Sequence, residues 1–278
     1  HWIGRLHIFS GMKTPEFDHP TRGRAYSHAN SELPGVRAQE VAATLDLLAP
    51  CRGEVLLEFG AGNGLLTERI LGRVGADAAD QAGEPAVIAV DNSAFVCEFL
   101  RSRFPPLDVR LLEPDDRLPV ASDSCHAVVS LANFHHVVEK QSMFKEFKRV
   151  LRPGGRLVVA DVARGTPAAR YFDEVVDKIC STGHQHEFVS EDQFDALCKG
   201  SGLQPVSWEI RPVPWRFEPN GEQSAREVAG WFLCRIHDAR CSESECFEHA
   251  ARYLGFRQDA AALQMDWTLA YAMARKPE

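Results

Sequence analysis

EVLLEFGAGNGLLTERILGRV, residues 54–74, sets a short apolar run against a cluster of glycines and then against a helical repeat. The run from Glu54 is strand-like and ends in glycines, whereas LLTERILGRV returns to helical periodicity, so the stretch reads as strand, tight loop and helix. Gly60, Gly62 and Gly64 suit a backbone that must turn sharply. They also let a ligand approach with no Cβ in the way, beside the amides that open a helix.

The same alternation extends to both sides. Upstream, RAQEVAATLDLL (37–48) spaces Val41, Leu45 and Leu48 as a helix that Pro50 and Gly53 stop. Downstream, AVIAV (86–90) ends in Asp91 and precedes a helix through Phe95, Phe99 and Leu100. DVRLL (108–112) and HAVVSLA (126–132) are further strand candidates, followed by the helix QSMFKEFKRVL, the turn Arg152-Pro153-Gly154-Gly155 and the strand RLVVADV (156–162). Repeated strand–helix units predict an α/β, mostly parallel sheet with helices on both faces. After Val162 the pattern changes to an amphipathic YFDEVVDKIC, a polar STGHQHEF, and a helix opened by the capping box of Ser190 and Gln193. A strand at about 203–211, helices at 221–237 and 243–255, and the alternating MDWTLAYAMAR complete the chain.

The 278 residues are 45% hydrophobic and 25% charged, enough to bury one large core. No run approaches the roughly 20 apolar residues of a membrane span, so no membrane partner is expected. A net charge of −8 with no basic stripe disfavours nucleic acid, which is held by counterion release. The eight cysteines never form a CxxC pair, so reduced thiols, no metal site and a cytoplasmic location are expected. HWIGRLHIFSG precedes Met12 and shares no pattern with the rest, so residues 1–11 are expected to be an added extension.

The NAD-type fingerprint wants its third glycine two residues after the second, and Leu65 is not one. An acid followed by alternating glycines, Glu58-Phe59-Gly60-Ala61-Gly62-Asn63-Gly64, instead resembles motif I of class I S-adenosylmethionine-dependent methyltransferases. The likeness continues through Asp91, EPDDRLPVASDSCHAVVS, SLANFHHV and FKRVLRPGGRLVVADV, and is similar to the broad group that includes ubiquinone and menaquinone biosynthesis enzymes. It implies a Rossmann-like doubly wound seven-stranded sheet, mostly parallel with an antiparallel last strand, plus helical cap insertions. Residues 12–50 would cover the cofactor site, and 51–278 would form the cofactor-binding domain with a cap at about 164–200 and a helical insert at about 218–258. The implied cofactor is S-adenosylmethionine. Gly60, Ala61, Gly62 and Gly64 would line its methionine and ribose parts, Glu58 would support the methionine end, and Asp91, beside Asn92, would accept from the ribose hydroxyls. The adenine contact falls among Glu113, Asp115 and Asp116, and Ser130 and Leu131 would lie near the transferred methyl.

A sulfonium donor is already activated, so positioning and desolvation are expected to supply most of the acceleration. The expected reaction is methyl transfer to an O, N or C atom of a small molecule. His135, His136 and His184 are the candidate catalytic residues, a base being needed where the acceptor is a hydroxyl of high pKa. The plain reading of His184 and His186 is a solvated loop; no third ligand stands near them in sequence, so metal binding is not expected. Arg164, Arg170, Arg211 and Arg216 are candidates for gripping an anionic acceptor, Tyr171, Phe172 and Trp215 for a substrate wall, and Trp208 and Phe217 for core. An NAD-type oxidoreductase and a non-catalytic S-adenosylmethionine-binding module are the alternatives. An N- or D-P-P-Y-like motif of nucleic-acid amino-methylating enzymes is replaced here by Asn133-Phe134-His135-His136.

Overall fold

The computed structural model describes residues 16–75, 86–112 and 116–278. The apolar runs become β1 (Leu56–Phe59), β2 (Val87–Asp91), β3 (Asp108–Leu111), β4 (Cys125–Leu131) and β5 (Leu151–Asp161), joined by β6 (Gln204–Pro212) and β10 (Thr268–Arg275). They form a seven-stranded sheet in the order β3-β2-β1-β4-β5-β10-β6. Only β10 opposes the rest, pairing antiparallel with both β5 and β6. Every residue of β1 and β2 is buried, as a strand covered by helices on both faces must be.

The turn expected at Arg152–Gly155 is absorbed into β5. Cys125 pairs with Leu151 while Ala127 pairs with Arg156, so the extra residues leave the ladder as an irregularity.

The helices are α1 (Pro20–Glu32), α2 (Ala38–Leu48), α3 (Leu65–Val74), α4 (Ala94–Arg103), α5 (Lys140–Val150), α6 (Pro167–Tyr171), α7 (Asp177–Ile179), α8 (Glu191–Ser201), α9 (Ala225–His237) and α10 (Glu243–Ala251). Local chemistry sets their starts. Ser93 accepts from the Val96 amide, and Ser190 with Gln193, Ser224 with Glu227 and Ser242 with Glu245 form reciprocal capping boxes. Between α6 and α7, Phe172–Val176 forms a π-helical turn. None of these helices is long and apolar enough to cross a membrane.

A second, three-stranded sheet of β7 (Trp215–Phe217), β9 (Leu263–Met265) and β8 (Phe256–Gln258) supports the C-terminal helices. Phe217 and Phe232 pack edge to face there at 5.8 Å, and Trp215 meets Phe232 at 5.6 Å. Phe217 is fully buried, as expected of core, whereas Trp208 is half-buried against Phe194.

Glu40 of α2 fastens this insert to the main sheet. Its carboxylate meets the Arg37 guanidinium at 2.7 Å and accepts from Trp215 Nε1 at 2.5 Å. Its carbonyl accepts from the Tyr271 hydroxyl of β10 at 3.3 Å. Arg37 and Glu40 are both buried, so removing one partner strands the other's charge. Glu40→Ala is expected to cost about 3–5 kcal/mol and lower Tm by about 10 °C. Glu40→Gln, which still accepts from Trp215, should lose less; calorimetric melting of the two variants checks the order.

Candidate active site

β1 and β4 are neighbours, but the chain leaves them toward opposite edges of the sheet, and a crevice opens beyond their carboxyl ends. It is an open cavity with about 1010 Å³ of empty space, counting the solvent at its mouth. The glycine-rich loop forms its floor. Gly60 has φ +75°, and a Cβ there would lie 2.0 Å from Asn133 Cγ, so only glycine allows the two loops to touch. Ala132, at the exit of β4, also carries a left-handed φ of 49°, backbone strain placed at the cavity wall.

Asp91 ends β2 with its carboxylate on the cavity. Oδ2 accepts from the Gly62 amide at 3.2 Å and Oδ1 from the Ser93 amide at 3.0 Å, and each oxygen has capacity for one further donor. Burial, with the Asp18 charge adding to it, pushes this carboxyl up to about 6, against the pull of the Ser93, Gly62 and Asn92 amides. Glu58, on β1, accepts from Thr67 Oγ1 at 2.6 Å; burial, with the Asp91 charge adding to it, raises it to about 8.

Opposite the loop, a 3-10 turn at Phe134–His136 brings two imidazoles to the wall, and His184 arrives from the STGHQHEF segment. That segment is solvated only in part. His184 and Phe188 are buried, because the His184 ring packs against His135 at 5.4 Å and Phe172 at 4.9 Å. The expected pair of His184 and His186 is not what converges: one ring nitrogen each from His135, His136 and His184 lies within 4.8 Å of the others, and His186 is not among them. The two rings that join His184 come from a distant stretch of chain, invisible to local spacing. Burial, with neighbouring imidazoles adding to it, holds His136 and His184 well below the usual histidine value. Both rings are therefore neutral.

Of the residues singled out in the sequence, Glu58, Gly60, Ala61, Gly62, Asp91, Leu131, His135, His136 and His184 line the cavity. Four others do not. Gly64 opens α3 with φ +83° and faces Phe104, where a Cβ would lie 2.5 Å from the ring; its glycine serves packing. Asn92 points to solvent, Ser130 is buried within β4 beneath the wall, and Asp116 leaves β3 in a left-handed conformation away from the lining. Glu113, Asp115 and residues 1–11 lie outside the described residues.

The four expected arginines also stand elsewhere. Arg164, Arg211 and Arg216 pair with surface carboxylates, and Arg170 is exposed outside the lining. The cations that reach the cavity are Arg22 and Arg37, from α1 and the start of α2, with Phe17, Tyr26 and Glu40 beside them. Trp215 and Phe172 are on the wall, while Tyr171 packs within the core. Three wall nitrogens, Asn63 Nδ2, His237 Nε2 and Trp267 Nε1, are buried without a partner among the described residues, as expected of a site completed by a polar ligand.

Residues 57–159 match the family described as methyltransferase domain. The chain is 29% identical over 202 residues to an arsenite methyltransferase of Halobacterium salinarum, covering 66% of this chain and 49% of that protein. It is 32% identical over 105 residues to a methyltransferase of Streptomyces halstedii, covering 37% of each. The chain thus spans less than two thirds of the length of these curated relatives, and neither is named as a quinone-biosynthesis enzyme. A solved phosphoethanolamine N-methyltransferase of Haemonchus contortus, in complex with S-adenosylhomocysteine, superposes with a TM-score of 0.64 at 17% identity, over 97% of this chain and 62% of that one.

The raised Glu58 carboxyl sets a pH dependence. A folded-state value above the ordinary 4.5 means that the folded chain keeps a proton the unfolded chain releases, so stability falls as pH rises from about 4.5 to about 8. Glu58→Gln is expected to flatten that part of the Tm-against-pH curve; parallel curves for the two proteins would contradict it.

Residues 57–159 thus match a methyltransferase domain, and strand order with the glycine loop against Asn133 gives them the Rossmann-like sheet seen in class I S-adenosylmethionine-dependent methyltransferases.

Proposed function

We propose that the chain binds S-adenosylmethionine along the β1–β2 side of the cavity and transfers its methyl group to a small molecule entering past the histidine wall. The observation that carries this reading is Asp91. It is a buried carboxylate at a strand end, each oxygen having room for one more donor, which suits the paired hydroxyls of a ribose. The floor at Gly60, Ala61 and Gly62 takes the methionine portion, with Glu58 behind it. Leu131 lies where the methyl group leaves.

The donor supplies an activated methyl group when bound. The work left to this chain is orientation and exclusion of water, which the apolar wall of Phe172, Trp215 and Trp267 favours. For an acceptor that must lose a proton, the candidate groups are the imidazoles of His135, His136 and His184, of which His135 has the Asp161 carboxylate 2.8 Å from its Nδ1. An O, N or C acceptor atom is compatible with this wall. All eight cysteines are free thiols, which suits a reducing, cytoplasmic setting. The net charge of −8 speaks for a small acceptor over nucleic acid.

Calorimetric titration with S-adenosylhomocysteine, S-adenosylmethionine and NAD tests the proposal. The two adenosyl ligands should bind one to one and NAD should not, and Asp91→Ala should weaken binding at least about tenfold, roughly 1.4 kcal/mol. Because the Asp91 carboxyl sits at about 6, affinity should fall as pH drops through that value and the acceptor is protonated. NAD binding, or adenosyl binding indifferent to Asp91, would overturn the reading.

A further inference from the structure

We propose that His135, His136 and His184 form a binding site for a borderline first-row divalent cation, with Zn²⁺ as the simplest occupant. Three imidazoles from two remote stretches of chain converge at one wall, one ring nitrogen from each within 4.8 Å of the other two. A Zn²⁺ ion bound at about 2.0–2.1 Å to each would need these nitrogens about 3.3 Å apart. The rings must close by no more than about 1.5 Å, a movement that small side-chain rotations supply.

Metal-bound imidazoles are characteristically fixed through the ring nitrogen that does not coordinate. His135 and His136 each have such an acceptor on Nδ1, and His184 has a ring neighbour there. The Asp161 carboxylate lies 2.8 Å from that of His135, and is itself held by the His135 and Val162 amides at 2.9 and 2.8 Å. The Gln185 carbonyl lies 2.9 Å from that of His136. Beside His184 Nδ1 stands the His186 ring at 3.0 Å, held in turn by the His184 carbonyl at 2.7 Å from its Nδ1 and by Asp173 at 2.8 Å from its Nε2.

Packing alone gives no reason for this composition. Phenylalanine fills the same volume without desolvating ring nitrogens, and Phe172 and Phe188 already stand against the same rings. Arg22 adds positive charge at this wall, and Asp161 and Asp173 behind the rings offset it. His237 lines the same cavity with a buried Nε2 that has no partner among the described residues, a further polar group facing whatever the site holds.

Three protein ligands leave a tetrahedral ion one further position, the arrangement of sites that hold a water or a reacting molecule. On the methyl-transfer reading that position takes the acceptor, which is then a small molecule that ligates through oxygen, nitrogen or sulfur. The cation site itself does not depend on that reading and is measured without cofactor.

The test uses the full chain, stripped with EDTA and titrated with Zn²⁺ in a calorimeter, then loaded with Co²⁺ for its visible spectrum. One-to-one Zn²⁺ binding is expected, weakened at least about 100-fold in His184→Ala and in His136→Ala, with Tm confirming that either variant is folded. Asp161→Asn should weaken it about 10–100-fold. The Co²⁺ form should show a visible ligand-field band without sulfur-to-metal charge transfer in the near ultraviolet. That last readout separates this site from the thiols of Cys241 and Cys246, whose sulfurs lie 3.3 Å apart, and neighbouring Cys234. Absence of stoichiometric binding, binding that survives both histidine variants, or a thiolate signature lost in Cys246→Ala would overturn the proposal. S-adenosylhomocysteine titration of the same preparation reports separately on the methyl-transfer reading.

Discussion

The reversal of strand order between β1 and β4 is the constraint on which the rest of the molecule depends. A parallel sheet needs a crossover after each strand, and helices on both faces leave its carboxyl edge as the place where loops gather. Where successive crossovers run to opposite edges, the loops part and a crevice remains. The loop after β1, Asp91 after β2 and the 3-10 turn after β4 are brought to that crevice by topology. Gly60 against Asn133 fixes how closely its walls approach.

Burial governs the chemistry of what lies there. Removing carboxylates from water raises Glu58 and Asp91, and removing imidazoles from water keeps His136 and His184 neutral. One physical cause thus prepares two unlike surfaces, an acceptor-rich floor and a wall of lone-pair donors. The C-terminal insert is held by buried pairing instead: Arg37, Glu40 and Trp215 join α2 to it. α1 lies against α9 and carries Arg22 and Tyr26 into the cavity.

The sheet and its glycine loop were legible in the sequence because their determinants are local. Strand runs, the Gly60–Gly64 spacing and the Ser190–Gln193 box each lie within a few residues. The wall was not. Glu40 and Trp215 meet across 175 positions, and no periodicity announces such a pair. STGHQHEF reads as solvated because polar residues usually are; its His184 and Phe188 are buried because the rings pack on one another. The surface arginines misled for the complementary reason: Arg164 and Arg216 already have carboxylate partners. Gly64 shows a subtler limit, since its motif position is right while its glycine answers to Phe104 and not to the cavity.

The most direct measurement is a crystal structure of the chain grown with S-adenosylhomocysteine. The account predicts ribose hydroxyls on the Asp91 carboxylate, the amino-acid portion over Gly60–Gly62, and the sulfur directed toward the wall of His135, His136 and His184. A ligand bound elsewhere, or one whose ribose leaves Asp91 untouched, would contradict it.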